Sequence, residues 1–305
     1  MKYLYYPGCS LKGTAREYNI STISLMNTLG AELFEIENYS CCGASAAESV
    51  SDLLSYVLPA RNLAIAEKMN SESENNNMDI LVPCSACYLN LKKVSIDVKT
   101  DPKLLADINT ALSQEGLEFK NLLNIRHILD VLKNDFDINT FQNKIKLFFN
   151  DFTIAPYYGC QCLRPYHVFD NPEKPDSMEP FIKAAKAEVF AWEMGSKCCG
   201  AAHMNTKPEL GQTLVKNILK AGKDADMILT VCPMCQMNLE AFQDQISKKS
   251  NEKFDISIVY LTQFITMAMG MDDKDTRLDL NLSITKDFKK KYLNLKNNAA
   301  LNREN

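Results

Sequence analysis

Ile-Leu-Val-Pro-Cys-Ser-Ala-Cys at residues 80–87 returns as Ile-Leu-Thr-Val-Cys-Pro-Met-Cys at residues 228–235. In each stretch a short apolar run ends in a Cys-x-x-Cys motif, and the likeness continues into the Asn-Leu pairs at 90–91 and 238–239. A short apolar run bounded by turn signals indicates a buried strand. The two stretches therefore predict two related strands, each followed directly by a pair of cysteines.

The cysteines further from these motifs repeat as well. Ten of the eleven cysteines fall into two sets with the same order: a single cysteine, an adjacent pair, and a Cys-x-x-Cys motif. The first set is Cys9, Cys41, Cys42, Cys84 and Cys87, and the second set is Cys160, Cys198, Cys199, Cys232 and Cys235. Two large units with matching motifs indicate an internal duplication.

Cys162 is the cysteine outside this scheme, because Leu11 stands at the corresponding place after Cys9. Alignment of the Tyr-x-Gly-Cys motifs assigns Cys160 to the second set. Cys162 is therefore predicted to be a packed thiol. It is also the alternative to Cys160 as the first member of the second set.

The pattern of apolar residues places each cysteine group between a strand and a helix. The predicted strands are residues 3–6, 31–36, 79–82, 152–158, 188–191 and 227–231. The predicted helices are residues 15–29, 48–69, 88–94, 102–113, 127–133, 178–187, 208–221 and 236–246. This alternation predicts an α/β fold of two duplicated units with largely parallel sheets, whose cysteine-bearing loops lie at the carboxyl ends of the strands.

The repeat also predicts the division of the chain. Residues 1–150 form the first unit with a connector, and residues 151–271 form the second unit. Residues 272–305 are charged and rich in asparagine. We expect them to form a polar C-terminal tail that is poorly ordered or serves as a docking arm.

Composition limits the function. The 305 residues include 34 basic and 38 acidic side chains, a net charge of −4, which argues against nucleic-acid binding. We expect no transmembrane segment, because even the most apolar stretch, residues 258–271, contains polar residues. The first residues do not match the pattern of a signal peptide. We therefore expect the protein in the cytoplasm, free or at the membrane surface, where thiols stay reduced.

Three kinds of thiol chemistry compete for the two sets. Structural zinc takes four ligands and would leave one cysteine of each set without a role. A thioredoxin-like Cys-x-x-Cys motif explains neither the adjacent pairs nor the duplication. Iron–sulfur clusters are also bound by cysteine thiolates, although five thiolates exceed the four that a cubane needs.

The motifs together resemble those of the twin CCG-domain (cysteine-rich domain) family, and within it the B subunit of heterodisulfide reductase and its bacterial homologues. The resemblance rests on Tyr-Pro-Gly-Cys at 6–9, Cys-Cys-Gly at 41–43 and 198–200, and Cys-Pro-Met-Cys at 232–235. It covers about residues 1–270.

The resemblance implies that each set binds one non-cubane [4Fe-4S] cluster, with its five cysteines as iron ligands. It implies a catalytic subunit that reduces a small disulfide, such as that of coenzyme M and coenzyme B, to thiols. The implied partners are a ferredoxin-type [4Fe-4S] protein, similar to the C subunit of that enzyme, and a flavoprotein, similar to its A subunit.

The same family implies an alternative, because its twin domain also occurs in some succinate dehydrogenases and fumarate reductases. Such a protein transfers electrons to or from a quinone. The apolar stretch 258–271 is the feature that favours this alternative, as a surface for contact with a membrane.

Two further residues near the second set are candidates for the site. His203 follows the Cys198-Cys199 pair and is a candidate proton donor. Arg164 follows Cys160 and is a candidate for binding an anionic substrate. His127, at the start of a predicted helix, is assigned a structural role.

Overall fold

In the computed structural model, which describes residues 1–73 and 77–304, the first half of the chain forms one four-stranded sheet. Its strands are β1 (Lys2–Tyr5), β2 (Glu32–Glu35), β3 (Asp79–Val82) and β4 (Ile125–His127). They lie in the order β2-β1-β3-β4, and every pair is parallel. The three apolar residues of β3 are buried, as expected for an inner strand of a parallel sheet.

The second half forms a separate sheet with the same topology. Its strands are β5 (Thr153–Tyr157), β6 (Glu188–Val189), β7 (Met227–Thr230) and β8 (Ser257–Tyr260). They lie in the order β6-β5-β7-β8, again with all pairs parallel. We refer to the two halves as the first and second repeat. The predicted duplication and the α/β class with parallel sheets are confirmed.

Helices connect the strands. Those of the first repeat are α1 (Gly8–Lys12), α2 (Arg16–Thr28), α3 (Ala46–Val50), α4 (Asp52–Glu72), α5 (Ser85–Asp97), α6 (Pro102–Leu112), α7 (Ile128–Asn134) and α8 (Ile138–Gln142). Those that follow are α9 (Glu179–Ala184), α10 (Pro208–Ala221), α11 (Pro233–Ala241), α12 (Gln243–Ser250), α13 (Leu261–Ala268), α14 (Asp273–Thr276) and α15 (Lys286–Glu304). Short 3-10 helices occupy Ser113–Glu115, Ala201–His203 and Leu278–Leu280.

The helices after the Cys-x-x-Cys motifs begin earlier than the sequence pattern predicts. α5 starts at Ser85 and α11 at Pro233, where apolar spacing places the starts at residues 88 and 236. Proline is favoured in the first helical turn, where its missing N–H costs nothing. Only α11 begins with a proline, but both helices begin directly after the first cysteine of their motif. Cys84 and Cys232 are thus the N-cap residues, and the second cysteine of each motif lies in the first turn.

The predicted helix 48–69 is divided into α3 and α4. Ser51 lies between them in an extended conformation, with φ −159° and ψ 131°. Its Oγ accepts the backbone N–H of Leu54 at 3.3 Å. This bond satisfies one of the free N–H groups at the start of α4, so Ser51 begins a new helix.

The two repeats share a buried interface between α2 and the β8–α13 segment. Every residue of β8 and α13 is buried. Across the interface, Ser21 Oγ lies 2.7 Å from Thr262 Oγ1. The expectation that residues 258–271 contact a membrane is therefore wrong for residues 258–269, because these residues are buried inside the molecule.

The last residues pack on the second repeat. Phe288 and Tyr292, four residues apart on α15, are buried. Their rings lie 5.9 Å from Phe152 and 6.2 Å from Phe149, measured between centroids. The expectation of a poorly ordered tail is thus corrected: charged residues dominate this segment, but two aromatic residues one turn apart fix its helix to the core.

Within the described part of the chain, none of the helices combines the length and the apolarity that crossing a bilayer requires.

Candidate thiol site at the repeat interface

The cysteines occupy equivalent places in both repeats, at the carboxyl ends of the strands. Cys9 lies in the first turn after β1, the Cys41-Cys42 pair follows β2, and Cys84 follows β3. The second set follows β5, β6 and β7 in the same way. Because parallel strands end at one edge of the sheet, three separate loops bring their cysteines to that edge.

The sulfur atoms of the first set follow one another in a row. Cys9 Sγ lies 3.7 Å from Cys41 Sγ, and Cys42 Sγ lies 3.4 Å from Cys87 Sγ. Side-chain hydrogen bonds also link Cys41 to Cys42, and Cys84 to Cys87. Cys9 and Cys41 are exposed, and the other three are buried. The set is therefore open to solvent at one end.

The second set surrounds a single cavity. All five of its cysteines line a space of about 50 Å³, together with Tyr158 and Ser85. Side-chain hydrogen bonds link Cys160 to Cys198, Cys199 to Cys235, and Cys232 to Cys235. Cys198 is the exposed member of the set.

The two sets meet at one point. Cys84 of the first repeat and Cys232 of the second share a side-chain hydrogen bond and are both buried. This bond raises the pKa of Cys84 and lowers that of Cys232, where the Cys235 thiol makes the larger contribution. The two groups of thiols are thus adjacent halves of one buried region.

Backbone N–H groups point at the exposed thiols in the same way in both repeats. Gly43 N donates to Cys41 Sγ at 3.4 Å, and Gly200 N donates to Cys198 Sγ at 3.3 Å. Such N–H groups stabilise negative charge on sulfur. Both Cys-Cys-Gly motifs therefore direct a backbone N–H at the sulfur of their first cysteine.

Matching polar side chains hold the adjacent pairs in place. Asn90 Nδ2 donates to the backbone oxygen of Cys42 at 3.2 Å, and Asn238 Nδ2 donates to that of Cys199 at 3.1 Å. The repeated Asn-Leu pairs are the sequence signal for these asparagines, but the sequence alone does not assign them a role.

Two tyrosines fix the loops just before the adjacent pairs. Tyr6 OH donates to Ser40 O at 2.8 Å, and Tyr157 OH donates to Lys197 O at 2.7 Å. Ser40 and Lys197 each directly precede a Cys-Cys pair. A tyrosine at the end of the first strand therefore positions the same loop in both repeats.

Glycine is required where the backbone passes the last cysteine of each set. A Cβ on Gly8 would lie 2.9 Å from Cys87 Sγ, and one on Gly159 would lie 3.0 Å from Cys235 Sγ. Both glycines have positive φ, of 67° and 69°. Any larger residue would therefore be strained and would displace a sulfur atom.

The local charges favour a thiolate at Cys198. The hydrogen bond from Cys160 is the largest cause that lowers the pKa of Cys198 to about 6, followed by Gly200 N–H, His203 and Arg164. In the first set, the hydrogen bond to Cys41 raises the pKa of Cys9.

The structure places the remaining candidate residues as follows. His203 is exposed in the 3-10 helix after the Cys-Cys-Gly motif, and its charge is one of the smaller causes that lower the pKa of Cys198. Arg164 donates to Pro172 O at 2.8 Å, to Glu173 at 3.1 Å and to Ser196 O. Its guanidinium is therefore used to hold two loops, and the geometry disagrees with a role in anion binding.

Cys162 is buried beside the second set. Its thiol donates to Tyr158 O at 3.3 Å. Burial raises the pKa of Cys162 to about 12. Cys162 does not line the second-set cavity, and this separates it from the five cysteines of the set.

Within residues 1–73 and 77–304, no three His, Cys, Asp or Glu side chains converge on the position of one metal ion. A larger group bound through sulfur fits the donor set better. Five thiols line one cavity in the second repeat, and two glycines let the backbone pass close to the sulfur atoms of Cys87 and Cys235.

Comparisons with known proteins agree with this arrangement. The CCG cysteine-rich domain family matches twice, at residues 3–92 and 154–240. The chain is 30% identical over 285 residues to the 8-methylmenaquinol:fumarate reductase membrane anchor subunit of Wolinella succinogenes, covering 92% of this chain and 96% of that protein. It is 28% identical over 281 residues to a protein of Archaeoglobus profundus that is named as similar to the heterodisulfide reductase B subunit, covering 89% and 92%.

A third relative and a solved structure complete the comparison. The B subunit of the ferredoxin/F(420)H(2)-dependent CoB-CoM heterodisulfide reductase of Methanosarcina acetivorans is 24% identical over 288 residues, which cover 90% of this chain and 92% of that protein. The crystal structure of a hypothetical protein from Helicobacter pylori superposes with a TM-score of 0.73 at 15% identity. It covers 93% of this chain, which spans about half (52%) of that protein and shares its fold.

Proposed function

The chain belongs to the CCG cysteine-rich domain family, and from this premise we propose that it is the iron–sulfur subunit of a heterodisulfide-reductase-like complex. In this role it reduces a small disulfide, that of coenzyme M and coenzyme B or a related sulfur compound, to two thiols. The observation that carries the proposal is the pair of five-cysteine sets that meet at Cys84 and Cys232.

The ten cysteines of the two sets would hold two [4Fe-4S] clusters of the non-cubane type, one for each set. When bound, the clusters supply the two electrons that the reduction of a disulfide needs. Five thiols around one cavity and glycines beside the last cysteines support this assignment. Cys162 is not among the proposed ligands, because it does not line the cavity and its thiol donates to Tyr158 O.

The protein's own residues define how a substrate reaches this region. Cys9, Cys41 and Cys198 are exposed, whereas Cys84 and Cys232 are buried where the repeats meet. A small disulfide would therefore approach from the exposed side. N–H groups of Gly43 and Gly200 favour negative charge on the sulfur atoms nearest to solvent.

We propose that partner proteins supply the electrons. A ferredoxin-type [4Fe-4S] protein, similar to the C subunit of heterodisulfide reductase, would contact this chain, and a flavoprotein, similar to the A subunit, would supply it. The relative from Methanosarcina acetivorans, which is named as the B subunit of a heterodisulfide reductase, supports this assignment. The complex would work in the cytoplasm, free or at the membrane surface.

A second function is favoured by one specific observation. The relative from Wolinella succinogenes, at 30% identity over 92% of this chain, is named as part of an 8-methylmenaquinol:fumarate reductase. Under this alternative, the same ten cysteines would carry electrons between a quinone and a flavoprotein of the fumarate reductase type. The thiol geometry serves both functions, because both need iron–sulfur centres close together.

An activity assay separates the two functions. The full chain, purified without oxygen, is mixed with reduced methyl viologen and the coenzyme M–coenzyme B disulfide, and thiol release is measured. The proposal predicts thiol release that is lost in Cys235→Ser and kept in Cys162→Ala. No thiol release from an iron-loaded chain, together with co-purification of a fumarate-reductase-type flavoprotein, would instead establish the alternative.

A further inference from the structure

The hydroxyl of Ser85 connects the two repeats next to the thiols. His127 Nε2 lies 3.1 Å from Ser85 Oγ, and Ser85 Oγ donates to Val231 O at 3.1 Å. Ser85 directly follows Cys84, and Val231 directly precedes Cys232. One hydrogen-bonded chain therefore runs from the end of β4 in the first repeat to the Cys-x-x-Cys motif of the second.

The direction of these bonds follows from the surroundings of His127. Its Nδ1 accepts the backbone N–H of Leu129 at 3.3 Å, so this nitrogen carries no proton. The ring is fully buried, and burial lowers the pKa of His127 to about 4. The neutral ring must then carry its proton on Nε2. The Nε2–H group donates a hydrogen bond to Ser85 Oγ, and the Ser85 hydroxyl donates one to Val231 O.

Ser85 also belongs to the second set's cavity. It lines the same space of about 50 Å³ as the five second-set cysteines, although it comes from the first repeat. Its side chain also lies beside that of Cys162. The first repeat thus contributes a polar group to the thiol cavity of the second.

The second repeat has no equivalent hydroxyl group at this position. Pro233 stands where the first repeat has Ser85, and proline has no hydroxyl. The parallel register places His127 opposite Val82, and the equivalent pair in the second sheet is Tyr260 opposite Thr230. A duplicated chain has therefore become asymmetric at the point where its two thiol sets meet.

On the basis of the proposed function, we propose that Ser85, held by His127, is a positioning residue that makes the two iron–sulfur centres unequal. Hydrogen bonds and dipoles near the ligand sulfur atoms set the reduction potential of such a centre. The Ser85 hydroxyl lies beside Cys84, Cys162 and the second-set cavity, whereas the equivalent position in the second repeat has none. The two centres therefore differ in potential, which gives electron flow between them a direction.

The test uses the anaerobically purified full chain and a redox titration followed by electron paramagnetic resonance. Ser85→Ala and His127→Phe should shift the midpoint potential of one centre relative to the other. Ser85→Thr and His127→Gln keep a hydroxyl and a donor, and they should restore most of the difference. Ser95→Ala is the matched control, because Ser95 is a buried serine on the same helix.

A second measurement keeps the two proposals apart. Hydrogen exchange of the backbone amides at residues 231, 232, 234 and 235 should become faster in Ser85→Ala, because the link to Val231 O is lost, and should not change in Ser95→Ala. Potentials in Ser85→Ala equal to those of the iron-loaded wild type would overturn the positioning role and leave the proposed function standing. A wild-type chain without iron would contradict the proposed function. Unchanged exchange at these four amides in Ser85→Ala would overturn the Ser85 link as well.

Discussion

The ring of Tyr18 in the first repeat lies flat on the ring of Tyr260 in the second, with centroids 4.0 Å apart and planes within 3° of parallel. The hydroxyl of Tyr18 donates to Pro83 O at 3.0 Å and contacts Val231 O at 3.3 Å. These two carbonyl groups directly precede Cys84 and Cys232. One fully buried side chain thus holds both Cys-x-x-Cys turns in place.

Removal of this side chain should loosen the repeat interface. Tyr18→Ala deletes a buried ring and should lower the free energy of unfolding by about 3–5 kcal/mol. Tyr18→Phe keeps the stacked ring but loses the hydrogen bonds, and should cost about 1 kcal/mol. Urea unfolding followed by circular dichroism measures both values.

Tyr292→Phe is the control for the hydroxyl. Tyr292 is also buried, and its hydroxyl has no hydrogen-bond partner among the described residues. Its loss should change the free energy of unfolding by less than about 0.5 kcal/mol. Equal effects of Tyr18→Phe and Tyr292→Phe would mean that the Tyr18 bonds do not stabilise the interface.

Substitutions of single cysteines should separate ligands from packed thiols. Cys199→Ser should remove about half of the bound iron and the signal of the second centre, because it takes one thiolate from the cavity. Cys162→Ala should keep the wild-type iron content, since Cys162 does not line the cavity and its thiol donates to a backbone oxygen. Iron analysis and electron paramagnetic resonance of both variants test this. An equal loss of iron would show that Cys162 is a ligand.

Much of the fold could be predicted because the motifs of each repeat mark where strands end. Short apolar runs ending in cysteines mark β1, β3, β5 and β7, and α10 has the predicted bounds of residues 208–221. The outer strands β4 and β8 escape prediction, because each runs directly into an apolar helix. Apolar spacing alone cannot separate such a strand from the helix that follows it.

The cysteine sets could be predicted, but their neighbours could not. Ser85 and His127 are 42 positions apart in the sequence, and Tyr18 lies 213 positions from Val231. Contacts over such distances leave no local pattern. The difference between Ser85 and Pro233 within matching motifs was the one available signal, and it becomes meaningful only when the parallel register is known.

A buried carboxyl group should make stability depend on pH. Burial raises the pKa of Glu240 to about 7, although Ser283 N donates to its carboxyl oxygen at 3.3 Å. The folded protein therefore keeps this proton to a higher pH than the unfolded chain, in which the pKa is near 4.3. The stabilisation is complete below about pH 4 and is lost as the pH rises through 7.

Glu240→Gln should remove this dependence. At pH 8 the free energy of unfolding of the variant should be about 2–3 kcal/mol higher than that of the wild type, so the variant is more stable. At pH 4 the two values should agree. Urea unfolding across this range measures the difference. Glu37→Gln, at an exposed position, is the control and should follow the wild type. A constant difference between Glu240→Gln and the wild type at all pH values would contradict the prediction.

The C-terminal helix should contribute to stability through one face. Phe288 is 2% exposed and contacts Phe152, so Phe288→Ala should cost about 3–5 kcal/mol. Leu293 is 57% exposed on the same helix, and Leu293→Ala should cost less than about 0.5 kcal/mol. Thermal or urea unfolding distinguishes them. Similar values for both variants would show that α15 is not fixed to the core.

The central claim is that the two cysteine sets each bind an iron–sulfur cluster, and metal analysis of the anaerobically purified full chain tests it most directly. The account predicts about eight iron and eight sulfide ions per chain, with a brown colour and absorption in the visible range. A colourless protein that contains zinc and no iron would contradict it.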